Sequence, residues 1–415
     1  MRTFLLKYKY QILIIFLGLI WITFLNELLQ IKNQNIIYSD SDNYREAASF
    51  FYHGFKVHHY RPIGMALIFG LPYLFGGDDT AIYNFSFIIN IISWLGIALL
   101  LFSFLKKYLS QNKSLLFTLL FYTILGSAFV NFHLLTESIF TFLILLSFYL
   151  IDKYYTSKSF NYLALAISIL LFTVVIKPGG MFFVVVLTIF FSRILIKNYN
   201  KISTIFIYLS LGLIVFQGVK MKAQYGNFTI SYIDGITYYN YLGSKAICLK
   251  ENKEFNQGEN KRADYIFSLP LPEGKIVAAK DAVEQLKNNS INLLKAYFLD
   301  IADNTKSPSD CISICTNIDG TAYFEFVKKS MVILSKYQNR FFTLIGFILA
   351  LYYCLRSYKK PDIYTLMGLY ILYIMATSGI SSQQGDRFHI VFFPVVIILM
   401  GKLYAEKYKK TTLQA

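Results

Sequence analysis

Hydrophobic residues in this chain run in long unbroken blocks separated by short polar junctions, not at every second or every third-to-fourth position. An uncharged apolar block of about 19 residues spans a bilayer as one helix. Such blocks occupy 10–29, 83–104, 114–131, 137–152, 160–176, 179–196, 203–219, 339–355, 363–380 and 388–405. The pattern predicts an all-α polytopic membrane protein with about ten transmembrane helices, since a helix pairs its own backbone groups in lipid. A further apolar stretch, 62–75, is too short to cross and predicts juxtamembrane or re-entrant helices in the first outer loop.

Basic residues orient this arrangement. They fall at Arg2, Lys7 and Lys9, at Lys106, Lys107 and Lys113, and at Lys153 and Lys158. They recur at Arg193, Lys197 and Lys201, at Arg356, Lys359 and Lys360, and at Lys402, Lys407, Lys409 and Lys410. These are every second junction, and the short junctions between them hold only Lys177 and Arg387. The positive-inside rule then predicts a multi-pass protein of the plasma (inner) membrane with both termini cytoplasmic. No small-residue cleavage site follows the first block, so it reads as a retained anchor.

On this topology the chain divides into three parts: an N-terminal transmembrane module, 1–219, which includes a first outer loop, 30–82; an extracytoplasmic subdomain, 220–337; and C-terminal transmembrane helices, 338–415. The middle part is polar, carries turn signals at Pro270, Pro272, Gly274 and Pro308, and predicts an amphipathic helix from Ile276 to Leu299. Composition agrees with the class, with 55% hydrophobic residues, only 15% charged, and a mean hydropathy of +0.47. The net charge of +16 follows from the loop asymmetry, so nucleic acid is not an expected partner and membrane lipids are. Four cysteines are too few for a disulfide scaffold. Cys248, Cys311 and Cys315 lie outside the blocks, where a bridge between two of them is open, and Cys311 with Cys315 lacks further ligands for a metal.

Candidate chemistry concentrates in the first outer loop. Asp40 and Asp42 open a short helix, Asn43–Phe51, that Ser41 or Asp42 would cap and Gly54 would end. Tyr44 lies one turn from Asp40, and His58, His59 and Arg61-Pro62 follow. The plain reading makes the aspartates caps on an exposed loop and the histidines solvated. The functional reading makes one aspartate a general base at the membrane surface, worth about 10²–10⁴ in rate, with Tyr44, His58 and His59 as substrate contacts, the histidines to a phosphate or a sugar hydroxyl. A divalent cation on Asp40-x-Asp42 is compatible with the spacing, though nothing requires a cofactor. Apart from Asp386, the only charges at the short outer junctions are Glu137, Lys177 and Arg387, all on the same side as Asp40. Convergent cations there suit a polyprenyl phosphate head group, whereas the plainer alternative is snorkelling or pairing with Asp386 or Glu137. No glycine-rich phosphate loop points to a nucleotide.

The ordered series Asp40, Tyr44, Gly54, Arg61-Pro62-x-Gly64, Phe75-Gly76, Leu135-Thr136-Glu137-Ser138, Lys177-Pro178-Gly179 and Asp386-Arg387-Phe388 with Pro394 resembles the GT-C superfamily of membrane glycosyltransferases. Its protein O-mannosyltransferase and lipid A aminoarabinose transferase branch is the most similar. The resemblance spans about 10–195 and, more loosely, 338–405, and does not extend to 220–337. It implies transfer of a sugar, with inversion, from a polyprenyl-phosphate donor to a lipid, glycan or protein acceptor on the extracytoplasmic face. It also implies Asp40 as base with Asp42 beside it, Arg61 and Arg387 at the lipid phosphate, and Glu137 as the acidic residue opening the fourth span. The family's usual Arg-Pro is here Lys177-Pro178, which keeps the cation but not a bidentate grip. Two other classes remain open: an undecaprenyl-diphosphate glycan polymerase or ligase, and a lipid-glycan transporter, against which the nearly uncharged mid-span regions argue.

Overall fold

The computed structural model describes residues 2–31, 38–382 and 384–414, without the side chains of 2–6 and 408–414. The start of the first outer loop, 32–37, and the basic side chains of Arg2, Lys409 and Lys410 therefore lie outside the described residues. All regular structure among the described residues is helical. The first half comprises α1 (Arg2–Leu28), α2 (Ser41–Gly54), α3 (Ile63–Phe69), α4 (Asp79–Leu105), α5 (Gln111–Tyr122), α6 (Leu125–Phe129), α7 (Glu137–Ser157), α8 (Phe160–Val174), α9 (Met181–Phe190), α10 (Ser192–Lys197) and α11 (Ile205–Tyr225). Short helices follow: α12 (Ile233–Tyr238), α13 (Ser244–Lys250), α14 (Lys261–Ser268), α15 (Leu271–Asn288), α16 (Ser290–Lys306) and α17 (Asp310–Ser313). The chain closes with α18 (Phe324–Arg356), α19 (Ile363–Ser378) and α20 (Phe393–Gln414).

By length and composition, five helical segments suffice to cross a membrane: Lys7–Leu28, Asp79–Leu105, Glu137–Ser157, Ile202–Tyr225 and Phe324–Arg356. A sixth is α5 with Leu125–Phe132, if that pair, bent by 70°, counts as one broken span. The apolar helices α8, α9 and α19 have 15, 10 and 16 residues. At 1.5 Å per residue the longest of these rises only about 24 Å, short of a hydrocarbon core of about 30 Å. Apolar sequence simply continues through their ends, for example at Val175-Ile176 and Phe191, where the backbone leaves the helix.

Exposed apolar side chains line the outside of the longest helices, including Phe16, Leu19 and Phe24 on α1, Leu209 and Val215 on α11, and Leu344 and Ile348 on α18. That surface suits hydrocarbon and would be costly in water. By contrast, five consecutive residues of α20, Val395 to Leu399, are all buried, so its first turns are enclosed on every side. Trp94, Phe102, Phe121, Phe140, Phe148, Tyr370 and Phe392 fill the core around it.

Three details position the polar site. At the start of α3, Gly64 N–H donates to the Val175 carbonyl (2.7 Å), and a Cβ there would overlap that carbonyl. This contact presses Arg61-Pro62 against the end of α8, two residues before Lys177. Gln217 of α11 accepts from Ile63 N–H (3.2 Å) and donates to the Ile230 carbonyl (2.9 Å), which ties the first outer loop to the chain entering α12. At Gly126 of α6 a Cβ would overlap the Asp386 carboxylate, so the absent side chain makes room for the loop that carries Arg387.

Two local expectations need correction. Asp40, not Ser41 or Asp42, occupies the N-cap of α2, and its side chain makes no capping bond. The helix ends at Gly54, as expected, but the left-handed cap beyond it is Phe55 (φ 49°) and not the glycine. That strain is offset by Lys220, whose ammonium donates to the Phe55 carbonyl (3.0 Å) and lies 4.1 Å from the ring centroid. The expected helix from Ile276 to Leu299 is two helices, broken at Asn289, whose amide donates to the Ala246 carbonyl (3.2 Å).

Candidate functional site

Five side chains from four separate stretches form one alternating chain of charges. Arg61 Nη2 lies 2.7 Å from Asp40 Oδ1, and Arg387 Nη1 lies 2.9 Å from Asp40 Oδ2. Arg387 continues through Nε (3.0 Å) and Nη2 (2.9 Å) to Glu137 Oε1, which also accepts from Lys177 Nζ at 3.1 Å. The order Arg61, Asp40, Arg387, Glu137, Lys177 places three cations against two anions, an excess of one positive charge.

Burial makes that excess consequential. The side chain of Glu137 is 2% exposed and that of Arg387 7%, whereas Asp40 (27%) and Lys177 (24%) reach the surface. The network is thus closed at its centre and open at Asp40 and at the Lys177 end. Burial alone would raise the Asp40 pKa, but the Arg387 and Arg61 guanidiniums outweigh it and hold the carboxyl below its ordinary value. Burial lowers the Lys177 pKa, with Glu137 opposing and Arg387 reinforcing. Two rings shelve the guanidiniums: Arg61 lies 4.7 Å from the Tyr44 centroid and Arg387 4.4 Å from that of Tyr38. Arg61 Nε and Glu137 Oε2 are buried without a hydrogen-bond partner among the described residues.

The residues named from sequence separate into two groups. Asp40, Tyr44, Arg61, Glu137, Lys177 and Arg387 converge. Asp42 does not: it is more than half exposed, 3.5 Å from Arg45 Nε, and accepts from the Tyr83 hydroxyl (3.2 Å). A cation shared by Asp40 and Asp42 therefore has no common site, because their carboxylates are spent in different directions. No grouping of three or more potential metal ligands occurs among the described residues. All four cysteines are free.

His58 and His59 act on the backbone rather than in the cluster. His58 is buried, and its Nδ1 accepts the N–H groups of Tyr60 (3.1 Å) and Arg61 (3.2 Å), which fixes the turn that presents Arg61. Burial, with His59 and Arg61 nearby, lowers its pKa to about 3, so it stays neutral. His59 stacks on His58, and its carbonyl accepts Tyr232 N–H (2.9 Å).

Two contributors, Tyr38 and Gly126, carried no usable sequence signal. Tyr38 lies under Arg387, and Asp386 is buried beside Gly126, with burial raising its pKa to about 7 and Asp310 adding to the rise. An interfacial-looking tyrosine and a glycine in an apolar run are both too common to single out. Chemically, the cluster offers a converging anion site beside a carboxylate that retains free lone pairs. A comparison with protein-family models gives no match to this chain, and neither does one with curated proteins.

Proposed function

We propose that the protein is an integral membrane glycosyltransferase of the GT-C type, which moves a sugar from a polyprenyl-phosphate donor to a lipid, glycan or protein acceptor. In this reading the chain crosses the membrane about ten times with both termini cytoplasmic, and the cluster faces the extracytoplasmic side of the plasma (inner) membrane. The observation that carries the proposal is the position of Asp40 between Arg61 and Arg387 in a buried network with one positive charge in excess.

The chemistry follows from competition for the guanidiniums. Arg387 is bonded to both Asp40 and Glu137, so an arriving phosphate finds donors already oriented and desolvated. As phosphate draws hydrogen bonds from Arg61 and Arg387, Asp40 loses part of the charge that depresses its pKa. It becomes a stronger base only when donor is bound. The acceptor hydroxyl or amine then attacks the anomeric carbon and its proton passes to Asp40. The bond from that carbon to phosphate oxygen breaks with inversion, and Arg61, Arg387 and Lys177 stabilise the departing polyprenyl phosphate. Residues 220–337 cover the site and select the acceptor.

The test uses purified Asp40→Asn with polyprenyl-phosphate-linked sugars as donors. Loss of about 10²–10⁴-fold in transfer with donor binding retained is the expected result. Transfer near the wild-type rate would remove Asp40 as the base. Unchanged flux of a lipid-linked glycan across vesicles, with no transfer by the wild type, would favour a transporter.

A further inference from the structure

Between α12 and α13 the helical run makes a π turn, Tyr239–Gly243. A π turn widens the helix and leaves carbonyls poorly matched, and such turns recur at functional sites. Here three side chains hold those carbonyls. The Ser244 hydroxyl donates to Tyr239 O (2.6 Å), Asn260 Nδ2 to Asn240 O (2.7 Å) and Gln285 Nε2 to Gly243 O (3.0 Å). The distortion is built in, and the residue at its middle is Tyr241.

The hydroxyl of Tyr241 accepts from Gln257 Nε2 (2.8 Å) and from Gln384 Nε2 (3.1 Å). Gln384 precedes Arg387 by three residues, and Gly385 between them has a φ of +60°, which turns Gln384 toward Tyr241 and Asp386 toward Gly126. Tyr241 is near enough to Asp40 and Arg387 for both charges to bias its ionisation. With its lone pairs taken, the phenol has only its own O–H to give, and no described residue accepts it. Neither glutamine Oε1 takes a hydrogen bond from a described residue. One donor, two amide acceptors and an aromatic ring, all uncharged and partly exposed, thus border the ionic cluster.

We propose that Tyr241, Gln257 and Gln384 form the subsite for the sugar of the lipid-linked donor, distinct from the cationic site for its phosphate. The inference rests on the glycosyltransferase reading above and deepens it. Neutral donors and acceptors around an aromatic ring match a hydroxyl-rich pyranose or furanose. They would add little to a phosphate, which wants the cations.

Binding of two probe types to the full-length protein in detergent separates the subsites: undecaprenyl phosphate alone, and the same lipid carrying mannose, glucose or arabinose. The wild type should hold at least one glycosylated probe several-fold tighter than the bare lipid. Tyr241→Phe, which removes only the hydroxyl, should shrink that margin about threefold or more, toward parity, and leave the bare-lipid affinity unchanged. Gln257→Ala should act in the same sense, and retained bare-lipid binding shows that each variant is folded. Equal wild-type affinity for bare and glycosylated probes, or an equal loss for both in Tyr241→Phe, overturns the sugar subsite. A wild type that binds neither probe overturns the phosphate site as well.

Discussion

Replacing Glu137 by glutamine removes the one anion that joins Arg387 to Lys177 and keeps the shape of the side chain. The two ion pairs it abolishes, to Arg387 and to Lys177, span 2.9 and 3.1 Å. With an effective dielectric of about 20, each such pair represents roughly 5 kcal/mol of attraction, of which desolvation of the buried ions has already cancelled a large part. What Glu137→Gln exposes is the uncompensated remainder: Arg387, 7% exposed, keeps only Asp40 as a charged partner, and Lys177 keeps none in the cluster. Removing one member of a buried pair costs about 3–5 kcal/mol, and the variant should lose about that much. The measurement is unfolding of the purified protein in mixed micelles, followed by tryptophan fluorescence. A double-mutant cycle with Lys177→Met supplies the control, since deleting the stranded ammonium should recover at least about 1 kcal/mol. The cluster's charge rises from one positive to two in Glu137→Gln, so affinity for bare undecaprenyl phosphate should not fall. A variant within about 0.5 kcal/mol of wild type, or a cycle with no coupling, would refute the view that the network is bound together at Glu137.

Asp386 predicts a pH dependence. Its pKa in the folded protein is about 7, against about 3.9 for an unperturbed aspartate, because burial disfavours its charge. A raised folded-state pKa stabilises fully below about pH 4 and loses that contribution as pH rises through about 7, a swing of roughly 4 kcal/mol. Wild type should therefore lose stability relative to Asp386→Asn across that window, with Asp310 and Arg387 present in both; parallel profiles would contradict the burial argument. Gly126→Ala should cost about 1–3 kcal/mol by driving a methyl into the Asp386 carboxylate, and should lower transfer by displacing Arg387. Combining it with Asp386→Ala should recover stability, and strictly additive losses would show that the two residues do not touch.

The site was unevenly legible in the sequence, for identifiable reasons. Glu137, Lys177 and Arg387 stood out because charge is rare at the short outer junctions, and lone charges beside lipid are costly unless used. Asp40 and Asp42 read alike, two residues apart in the same polar run, and only the direction each side chain takes divides them. His58 read as either a solvated loop residue or a phosphate or sugar contact, whereas its ring is buried, with Nδ1 taken by two backbone N–H groups and Nε2 3.5 Å from Glu46. The left-handed cap of α2 was not legible either, because the strain at Phe55 is offset by Lys220, a residue distant in sequence.

By itself the sequence determined the helical, membrane-compatible character of the chain, because block hydropathy is a local property summed over about 19 residues and needs no knowledge of neighbours. It also marked which charges were out of place. Tertiary structure alone decided that Arg61, Asp40, Arg387, Glu137 and Lys177 form one continuous chain, that Asp42 stands outside it, and that Tyr241 borders it. Those outcomes depend on contacts such as Gly64 with Val175 and Gly126 with Asp386, between residues more than a hundred positions apart. A pattern read along the chain carries no term for that closeness; packing supplies it.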